Sequence, residues 1–174
     1  ASDVYKRQVI NGASAQQTPA LSIDVAGEFA FVRIQYDSYH GGGFYGGPWL
    51  TDFPASAQNF LRGVSRLTNV RVMDEPIVLR FDDEEIFDYP FLYALEMGRG
   101  GGICLSPSEI GNLREYLLRG GFLLIDDFWG KQQWDAFYRD FSQIFPDREM
   151  VELQAGHEIY HTFYDIDGPQ MIPG

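Results

Sequence analysis

Two short apolar runs and the amphipathic segment between them form the clearest pattern in this chain. Residues 91–95 (FLYAL) and 122–125 (FLLI) show no helical period, which predicts strands buried on both faces. Between them, Ser106-Pro107-Ser108-Glu109 predicts a capped helix start, because Ser106 can cap, Pro107 suits the first helical position and Glu109 can bond back. Gly120-Gly121 predicts the helix end. A strand, helix and strand in this order predict a parallel α/β unit.

The rest of the chain shows the same two periods. We predict strands at 29–36, 77–81 and 148–153 and helices at 55–68 and 131–144. The long segment 37–54 carries a glycine-rich aromatic stretch, either a flap over the core or a platform that stacks on a sugar or peptide. The acids at 82–85 favour a solvated helix start over a metal site. Apolar faces of the two helices are predicted from Phe60, Leu61, Val64 and Leu67 and from Trp134, Phe137, Phe141 and Ile144.

Composition narrows the possible partners. The 174 residues are 45% hydrophobic and carry a formal net charge of −12, which is consistent with one globular domain and disfavours nucleic acid or an anionic membrane surface. No run is long enough to span a membrane, so we expect no direct insertion of this domain. The one cysteine excludes an internal disulfide. The expected partner is an unknown protein or small-molecule ligand, with no cofactor.

The N-terminus is interpreted separately from the domain. Residues 3–8 (DVYKRQ) look like the translation of a transposon-end sequencing adapter, so we interpret residues 1–8 as a scar in a metagenomic sequence. Residues 9–24 are then a linker or the remnant of a signal peptide, since Ala13-Ser14-Ala15 before Gln16 has the form of a signal-peptidase site. We therefore expect an exported, periplasmic or envelope-associated protein, with a single α/β domain at 25–174.

Several motifs of the chain together resemble a known family. In chain order they are 31–37 (FVRIQYD), 49–54 (WLTDFP), 87–93 (FDYPFLY), 113–123 (LREYLLRGGFL) and 126–130 (DDFWG). This set resembles the bacterial domain-of-unknown-function family 4159. The resemblance implies a class I glutamine-amidotransferase-like fold: a three-layer sandwich with a mainly parallel, flavodoxin-like sheet. It also implies proteins that are commonly exported or attached to membrane-anchored modules. The family has no established activity, so no catalytic residues are carried over.

The predicted strands deliver a set of candidate ligand-site residues to one edge of the sheet. Ligands of open parallel sheets bind outside the carboxyl ends of the strands, where strand order reverses. Adjacent carboxylates there could bind a divalent ion or share a proton. Alternatively, one aspartate caps the helix that begins near Lys131 and the other bonds backbone amides of the turn. The candidates are Asp37 and His40, the turn 98–102, then Asp126, Asp127 and Trp129, with His157 or His161 as further possible members.

Two motifs suggest an enzyme. Gly102-Ile103-Cys104-Leu105 reproduces most of an amidotransferase nucleophile elbow, but Ser106 replaces the closing glycine and no strand precedes it, so we interpret Cys104 as structural or incidental. His157-Glu158-Ile159-Tyr160-His161 matches the zinc-protease signature, which requires an α-helix to place both imidazoles on one face. The strand-like residues that follow argue against that helix, so no bound zinc is expected.

These observations favour an exported, non-catalytic binding or assembly module that has an amidotransferase-like fold and lacks the nucleophile elbow. The alternative is a hydrolase or metal-dependent enzyme that uses Asp126, Asp127 and a histidine. A functional glutamine amidotransferase is not expected.

Overall fold

A computed structural model describes residues 28–40, 46–162 and 164–168. A four-stranded parallel sheet forms its centre, which confirms the predicted flavodoxin-like α/β sandwich. Its strands are β1 (Val32–Ile34), β2 (Ile77–Leu79), β3 (Phe91–Leu95) and β4 (Phe122–Asp126), in the order β2-β1-β3-β4. The α-helices are α1 (Ala55–Leu67), α2 (Pro107–Leu118) and α3 (Gly130–Phe141), and short 3-10 helices cover Pro48–Leu50, Glu84–Asp88, Arg99–Gly101 and Glu158–His161.

The start of α2 has the predicted capping box. The Ser106 hydroxyl accepts a hydrogen bond from the backbone N–H of Glu109 at 3.2 Å, and the Glu109 carboxylate accepts one from the N–H of Ser106 at 2.8 Å. Each side chain therefore satisfies a helix-end donor that would otherwise lack a partner. The carboxylate of Glu109 is almost fully buried and also accepts from Arg80, which ties the helix start to the chain after β2.

The sheet separates two hydrophobic clusters, as expected for a three-layer sandwich. One cluster joins Val32 and Leu92 of the sheet to Leu113 of α2 and Phe137 of α3. The other joins sheet residues to Leu61 of α1. Consecutive residues of a strand point to opposite faces, so α2 and α3 cover one side of the sheet and α1 covers the other.

Several residues predicted to be buried lie at the edge of the fold. Strand β4 pairs only with β3 among the described strands, and Phe122 is 50% exposed at the beginning of this edge strand. The prediction of burial on both faces is therefore wrong for Phe122. Of the predicted helix faces, Leu67 and Trp134 are 61% and 42% exposed. Leu67 is the last residue of α1, and Trp134 packs against the Phe128 and Phe137 rings.

The predicted strand at 148–153 is wrong. These residues form no strand in the described part of the chain, and Val151 is 79% exposed. The chain turns after α3, where the N–H of Arg148 bonds the carbonyl of Phe145 at 3.1 Å. The guanidinium groups of Arg114 and Arg148 both stack on the Phe145 ring. These contacts hold Phe145 against the core. The residues that follow it pair with no strand in the described part of the chain.

Candidate functional site

An open cleft of about 610 Å³ lies at the carboxyl edge of the sheet. From β1 the chain crosses to β2 on one side, and from β3 it crosses to β4 on the other, so strand order reverses between β1 and β3. The cleft is formed by His40 from the segment after β1, the turn Gly98–Gly101 after β3, and residues of α3 that include Gln132, Gln133 and Arg139. It therefore occupies the position at which open α/β sheets bind ligands.

The turn after β3 is pressed against α3 so closely that only glycine fits at its two ends. A Cβ atom at Gly98 would lie 2.1 Å from the carbonyl oxygen of Gln133, and one at Gly102 would lie 2.1 Å from a carboxylate oxygen of Asp140. At Gly102 the φ of 105° is also a conformation that other residues rarely adopt. Packing thus accounts for these two glycines, and it fixes the turn as one wall of the cleft.

Arg99 stands on this wall and is held by a buried carboxylate. Its Nη1 donates to both carboxylate oxygens of Glu96, at 2.9 and 2.8 Å, and Glu96 also accepts from the Thr51 hydroxyl at 2.9 Å. The Glu96 side chain is 6% exposed, whereas that of Arg99 is 55% exposed. The buried acid therefore orients a guanidinium that still faces solvent.

Arg139 repeats this arrangement on the α3 wall. Its Nε and Nη2 donate to the two oxygens of Asp140, both at 2.7 Å, and Nη2 also donates to the carbonyl of Gly101. The bonds to Asp140 raise the pKa of Arg139 above its ordinary value. Asp140 is buried and its partner is mostly exposed. The Tyr39 ring lies against this guanidinium, with 5.3 Å between the ring centroid and the guanidinium carbon.

The other polar side chains of the cleft are those of His40, Gln132, Gln133 and Asp135. The backbone N–H of His40 donates to the carbonyl of Gly100, and its ring lies against Gly101, where a Cβ would come within 2.9 Å of Nε2. The side-chain oxygen of Gln133 accepts from the backbone N–H of Trp129 at 2.9 Å, which leaves its amide N–H₂ as a donor. The two arginines and the Gln133 amide thus present hydrogen-bond donors to the cleft, and Asp135 contributes a carboxylate to its described lining.

A buried arginine lies behind the edge, on the α1 side of the sheet. Arg33 of β1 has no exposed surface, and its Nε and Nη2 donate to the carbonyls of Trp49 and Thr51 at 2.8 and 2.7 Å. Its Nη1 is buried and has no hydrogen-bond partner in the described structure. Its guanidinium lies 5.0 Å from the centroid of the Tyr93 ring. Arg33 therefore anchors the segment 48–51 across the end of the sheet.

Two buried tyrosines also lie at the carboxyl edge of the sheet, and together with Arg33 they form the layer that is called the buried layer below. Tyr36 donates its hydroxyl to the carbonyl of Leu95 at 2.6 Å, and Tyr93 donates to the carboxylate of Asp126 at 2.9 Å. Burial raises the pKa of both tyrosines above the ordinary value, and the negative charges of Glu96 and Asp126, respectively, add to this increase. Both phenols are thus stabilised in the neutral form.

Of the candidates that were predicted as single residues, His40 alone lines the cleft, next to residues 98–101 of the predicted turn. The exposed carboxylate of Asp37 forms an ion pair with Arg80 at 2.8 Å. Asp126 accepts from Tyr93, and Trp129 is 55% exposed at the beginning of α3. The structure thus brings His40 together with the predicted turn 98–102, while the aspartates occupy neighbouring positions along the edge.

The prediction that an aspartate caps α3 is wrong. The residue at the cap position is Trp129, and no side chain caps the helix there. Asp127 instead adopts a left-handed conformation with φ of 67° directly after β4, which aspartate tolerates better than most residues. The side chain of Gln133 binds the free N–H of Trp129 in place of a cap.

The two histidines of the protease-like motif belong to a separate 3-10 helix, Glu158–His161. His157 precedes it and accepts from the N–H of Ile159 through Nδ1, while Nδ1 of His161 lies 3.1 Å from a carboxylate oxygen of Asp165. The segment is a single 3-10 turn, so the α-helix required by the protease signature is not formed, as the sequence predicts. Neither histidine lines the cleft.

Cys104 and the acidic cluster show no assembled chemical site. Cys104 is exposed, and its backbone N–H donates to the carbonyl of Asp37 at 2.7 Å. Asp82 to Glu85 and Asp88 surround a second, shallow depression beside β2. Within residues 28–40, 46–162 and 164–168, no group of three or more His, Cys, Asp or Glu side chains is arranged to hold a metal ion.

Sequence reasoning missed most of the residues that build the edge: Arg33, Glu96, Arg99, Arg139 and Asp140. Two of them leave a detectable signal. Arg33 is the one charged residue in the run 29–36, and Glu96 directly follows an apolar strand. A charge within or next to a buried strand requires bonded partners, so both positions indicate a polar network. Arg139 and Asp140 have the ordinary appearance of a solvated helix face.

Comparison with known families finds a match. A family model described as "Domain of unknown function (DUF4159)" matches residues 30–174. No curated protein matches the chain. No helix within the described part of the chain is long and apolar enough to cross a membrane.

Proposed function

Since the chain belongs to the DUF4159 family, whose description assigns no reaction, we propose a role from the geometry of the cleft: a non-catalytic binding module. The observation that carries this proposal is the position of the cleft at the reversal of strand order between β1 and β3. Ligands of open α/β sheets bind at that position for a general reason, since the loops that leave the strands in opposite directions open a crevice there.

The composition of the cleft supports binding rather than catalysis. Its described lining consists of glycine, alanine, arginine, glutamine, one histidine and Asp135, and the lining thus lacks a serine, threonine or cysteine nucleophile. Asp135 forms an ion pair with Lys131 on the same helix. The arginines are anchored by Glu96 and Asp140, so the cleft offers fixed donors.

A cleft-blocking variant tests this proposal. Gln132 is exposed and lines the cleft, so Gln132→Trp fills the space, whereas Ser65→Trp on the exposed side of α1 adds the same bulk elsewhere. Thermal-shift screening with neutral sugars, amino acids, carboxylates and phosphates should reveal ligands that raise the melting temperature by about 3–5 °C at tenfold excess over Kd. Gln132→Trp should abolish this shift, and Ser65→Trp should retain it.

Recovery of the ligand separates binding from catalysis. After overnight incubation, mass spectrometry should find the bound compound unchanged. Chemical conversion that depends on the protein would refute the non-catalytic reading. Equal thermal shifts in the wild type and in Gln132→Trp would refute the cleft as the binding site.

We also propose that the domain belongs among the class I glutamine-amidotransferase-like folds and that the protein is exported. The first part is supported by the parallel order β2-β1-β3-β4, and the second by the small residues Ala13-Ser14-Ala15 before Gln16. Expression from the intact gene with its natural leader, followed by N-terminal sequencing of the envelope fraction, should give Gln16 as the first residue. Retention of the leader in the cytoplasm would contradict export.

One observation favours the alternative of a hydrolase. Asp127 has a left-handed backbone between β4 and α3, and a strand, a strained residue and a helix in this order form the geometry of a nucleophile elbow. A carboxylate there could attack the carbonyl carbon or the phosphorus of an ester and expel its alcohol, and water would then hydrolyse the acyl- or phosphoryl-aspartate. The test is hydrolysis of acyl and phosphoryl model esters that is lost in Asp127→Asn, with Asp88→Asn on the acidic cluster as a matched control.

A further inference from the structure

We propose that the ligand of the cleft carries an oxyanion group, either a carboxylate or a phosphoryl group, and that Arg99 and Arg139 bind it from two walls. This inference rests on the proposed binding function and specifies the chemistry of the same site. It follows from which hydrogen-bonding groups of the cleft are already used and which are left over.

Most acceptors that surround the two arginines already take part in hydrogen bonds. The carboxylates of Glu96 and Asp140 accept from arginines, the carbonyl of Gly101 accepts from Arg139, and the side-chain oxygen of Gln133 accepts from a backbone N–H. Asp135 accepts from Lys131 through Oδ2, which leaves its Oδ1 as the carboxylate oxygen of the described lining without a bonded partner. A ligand that mainly offered donors would therefore compete with bonds that the protein has already made.

The donors are only partly used. Arg99 binds Glu96 through Nη1 alone, so its Nε and Nη2 are left for another acceptor. Arg139 uses Nε and Nη2, which leaves Nη1. Gln133 has its amide N–H₂ left, since only its oxygen is bonded. Complementarity thus requires a ligand rich in acceptors, and an oxyanion offers several acceptor lone pairs on one small group.

The anchoring of the arginines favours an oxyanion over a neutral acceptor. Each guanidinium is fixed by a carboxylate that is at most 6% exposed, and the two stand on different walls, one on the turn after β3 and one on α3. Arginines that are held in place in advance lose little side-chain freedom on binding. Planar, charged donors form their strongest bonds with carboxylate and phosphate oxygens. The net charge of −12 repels anions at long range, so the selectivity must arise from these short contacts.

The experiment uses the full chain and simple probes: inorganic phosphate, succinate and glucose. Arg99→Lys and Arg139→Lys keep the positive charge beside Glu96 and Asp140 while removing the planar fork, and Gln132→Ala removes a cleft donor from an exposed position. Arg66→Lys on α1 is the matched control. Affinities are measured by isothermal titration and by NMR shifts of the backbone amides of Gly98 and Gly100 to Gly102.

We expect phosphate or succinate to bind with perturbation of those amides. Each cleft lysine variant should weaken binding about fivefold and Gln132→Ala about twofold, whereas Arg66→Lys should leave it unchanged. Glucose should not bind. The anion with the higher affinity shows whether the oxyanion is a carboxylate, as in succinate, or a phosphoryl group, as in phosphate. Circular dichroism and melting curves check that the lysine variants remain folded, and Gln132→Ala provides the test if they do not.

Other outcomes overturn the proposal in distinguishable ways. Binding of glucose in the cleft without the anions would refute the oxyanion and leave the binding function standing. Anion binding that is equally strong in Arg99→Lys, Arg139→Lys and Gln132→Ala would show that the anion sits elsewhere. If no probe, nor any compound of the thermal-shift screen, perturbs the cleft, both the oxyanion and the binding function fail.

Discussion

At the carboxyl edge of the sheet, a buried layer and an outer layer differ in the solvent exposure of their arginines. In the buried layer, a cation without surface exposure, Arg33, is held by backbone carbonyls and faces the ring of Tyr93. In the outer layer, Arg99 and Arg139 are exposed and each is held by a buried carboxylate. The same residue type is thus enclosed in one layer and displayed in the other.

Because of this difference, we expect the buried layer to contribute mainly to folding stability and the outer layer mainly to ligand binding. Every bond of a buried charge replaces lost hydration, so removing its partners costs folding free energy. A displayed arginine keeps its hydration and retains donors that a ligand can use. We therefore expect substitutions in the buried layer to lower the free energy of unfolding strongly and substitutions in the outer layer to change it little. The predictions below test this division in order of decreasing effect.

The largest expected effect is loss of stability in alkali. The pKa of Tyr36 and of Tyr93 lies above the ordinary value of 10.0 in the folded state. Above about pH 10 the unfolded chain releases protons that the folded chain retains, so the free energy of unfolding falls as pH rises toward the folded pKa. Each tyrosine contributes a slope of about 1.4 kcal/mol per pH unit. Urea unfolding between pH 8 and pH 11 measures this loss.

Substitution assigns the slope to individual residues. Tyr36→Phe and Tyr93→Phe should each flatten the alkaline slope by the contribution of one tyrosine. Below pH 9 the phenols are neutral in both states, so the slopes of all variants should coincide there. An identical alkaline slope in the wild type and in both buried variants would remove the basis for a distinct buried layer.

The next effect is the removal of the buried cation. Arg33→Met deletes two hydrogen bonds and leaves the carbonyls of Trp49 and Thr51 without this partner. We expect a loss of about 2–4 kcal/mol in the free energy of unfolding. Arg66→Met on the surface of α1 is the control and should change stability by less than about 0.5 kcal/mol. Similar effects of the two substitutions in urea melts would contradict the comparison.

The fold was largely predictable because local signals and tertiary packing agree in the central unit. The capping box at Ser106 and Glu109 determines the start of α2 regardless of context, and the apolar runs on either side pair in register, with Phe91 opposite Phe122. Local sequence could not show that β4 lies at the edge. It also could not show that Phe145 ends the core, because its stacking on Arg114 joins residues distant in sequence.

The candidate site was predicted only at the level of loops. The rule that ligands bind at the carboxyl edge identified His40 and the turn 98–102, which line the cleft. The arginines were missed because their significance depends on which acid each one meets. The Arg99 and Glu96 pair is three residues apart, and Arg139 and Asp140 are adjacent, so both pairs look like ordinary surface charges in the sequence. What distinguishes these pairs from surface ion pairs is that their acids are buried, and only the packed structure shows this burial.

A smaller effect is expected at Asp126 and Asp127, the last residue of β4 and the residue after it. Neither caps α3, so Asp126→Asn should cost less than about 1 kcal/mol, because an amide oxygen still accepts the hydroxyl of Tyr93. Asp127→Asn should be neutral or slightly stabilising, because asparagine adopts left-handed backbone readily. Asp127→Ala should cost about 1 kcal/mol for its φ of 67°. Urea melts of the three variants rank these effects, and a neutral Asp127→Ala would contradict the strain.

The smallest effect is expected at Cys104. Its side chain is exposed, and the hydrogen bond of this residue to Asp37 uses the backbone N–H, which serine retains. Cys104→Ser should therefore change the free energy of unfolding by less than about 0.5 kcal/mol and leave ligand binding and any activity unchanged. Ser106→Ala, two residues further on, removes the helix cap and should cost about 1 kcal/mol in the same urea melts. Loss of an activity in Cys104→Ser with an unaltered circular dichroism spectrum would contradict this prediction and show that the thiol takes part in that activity.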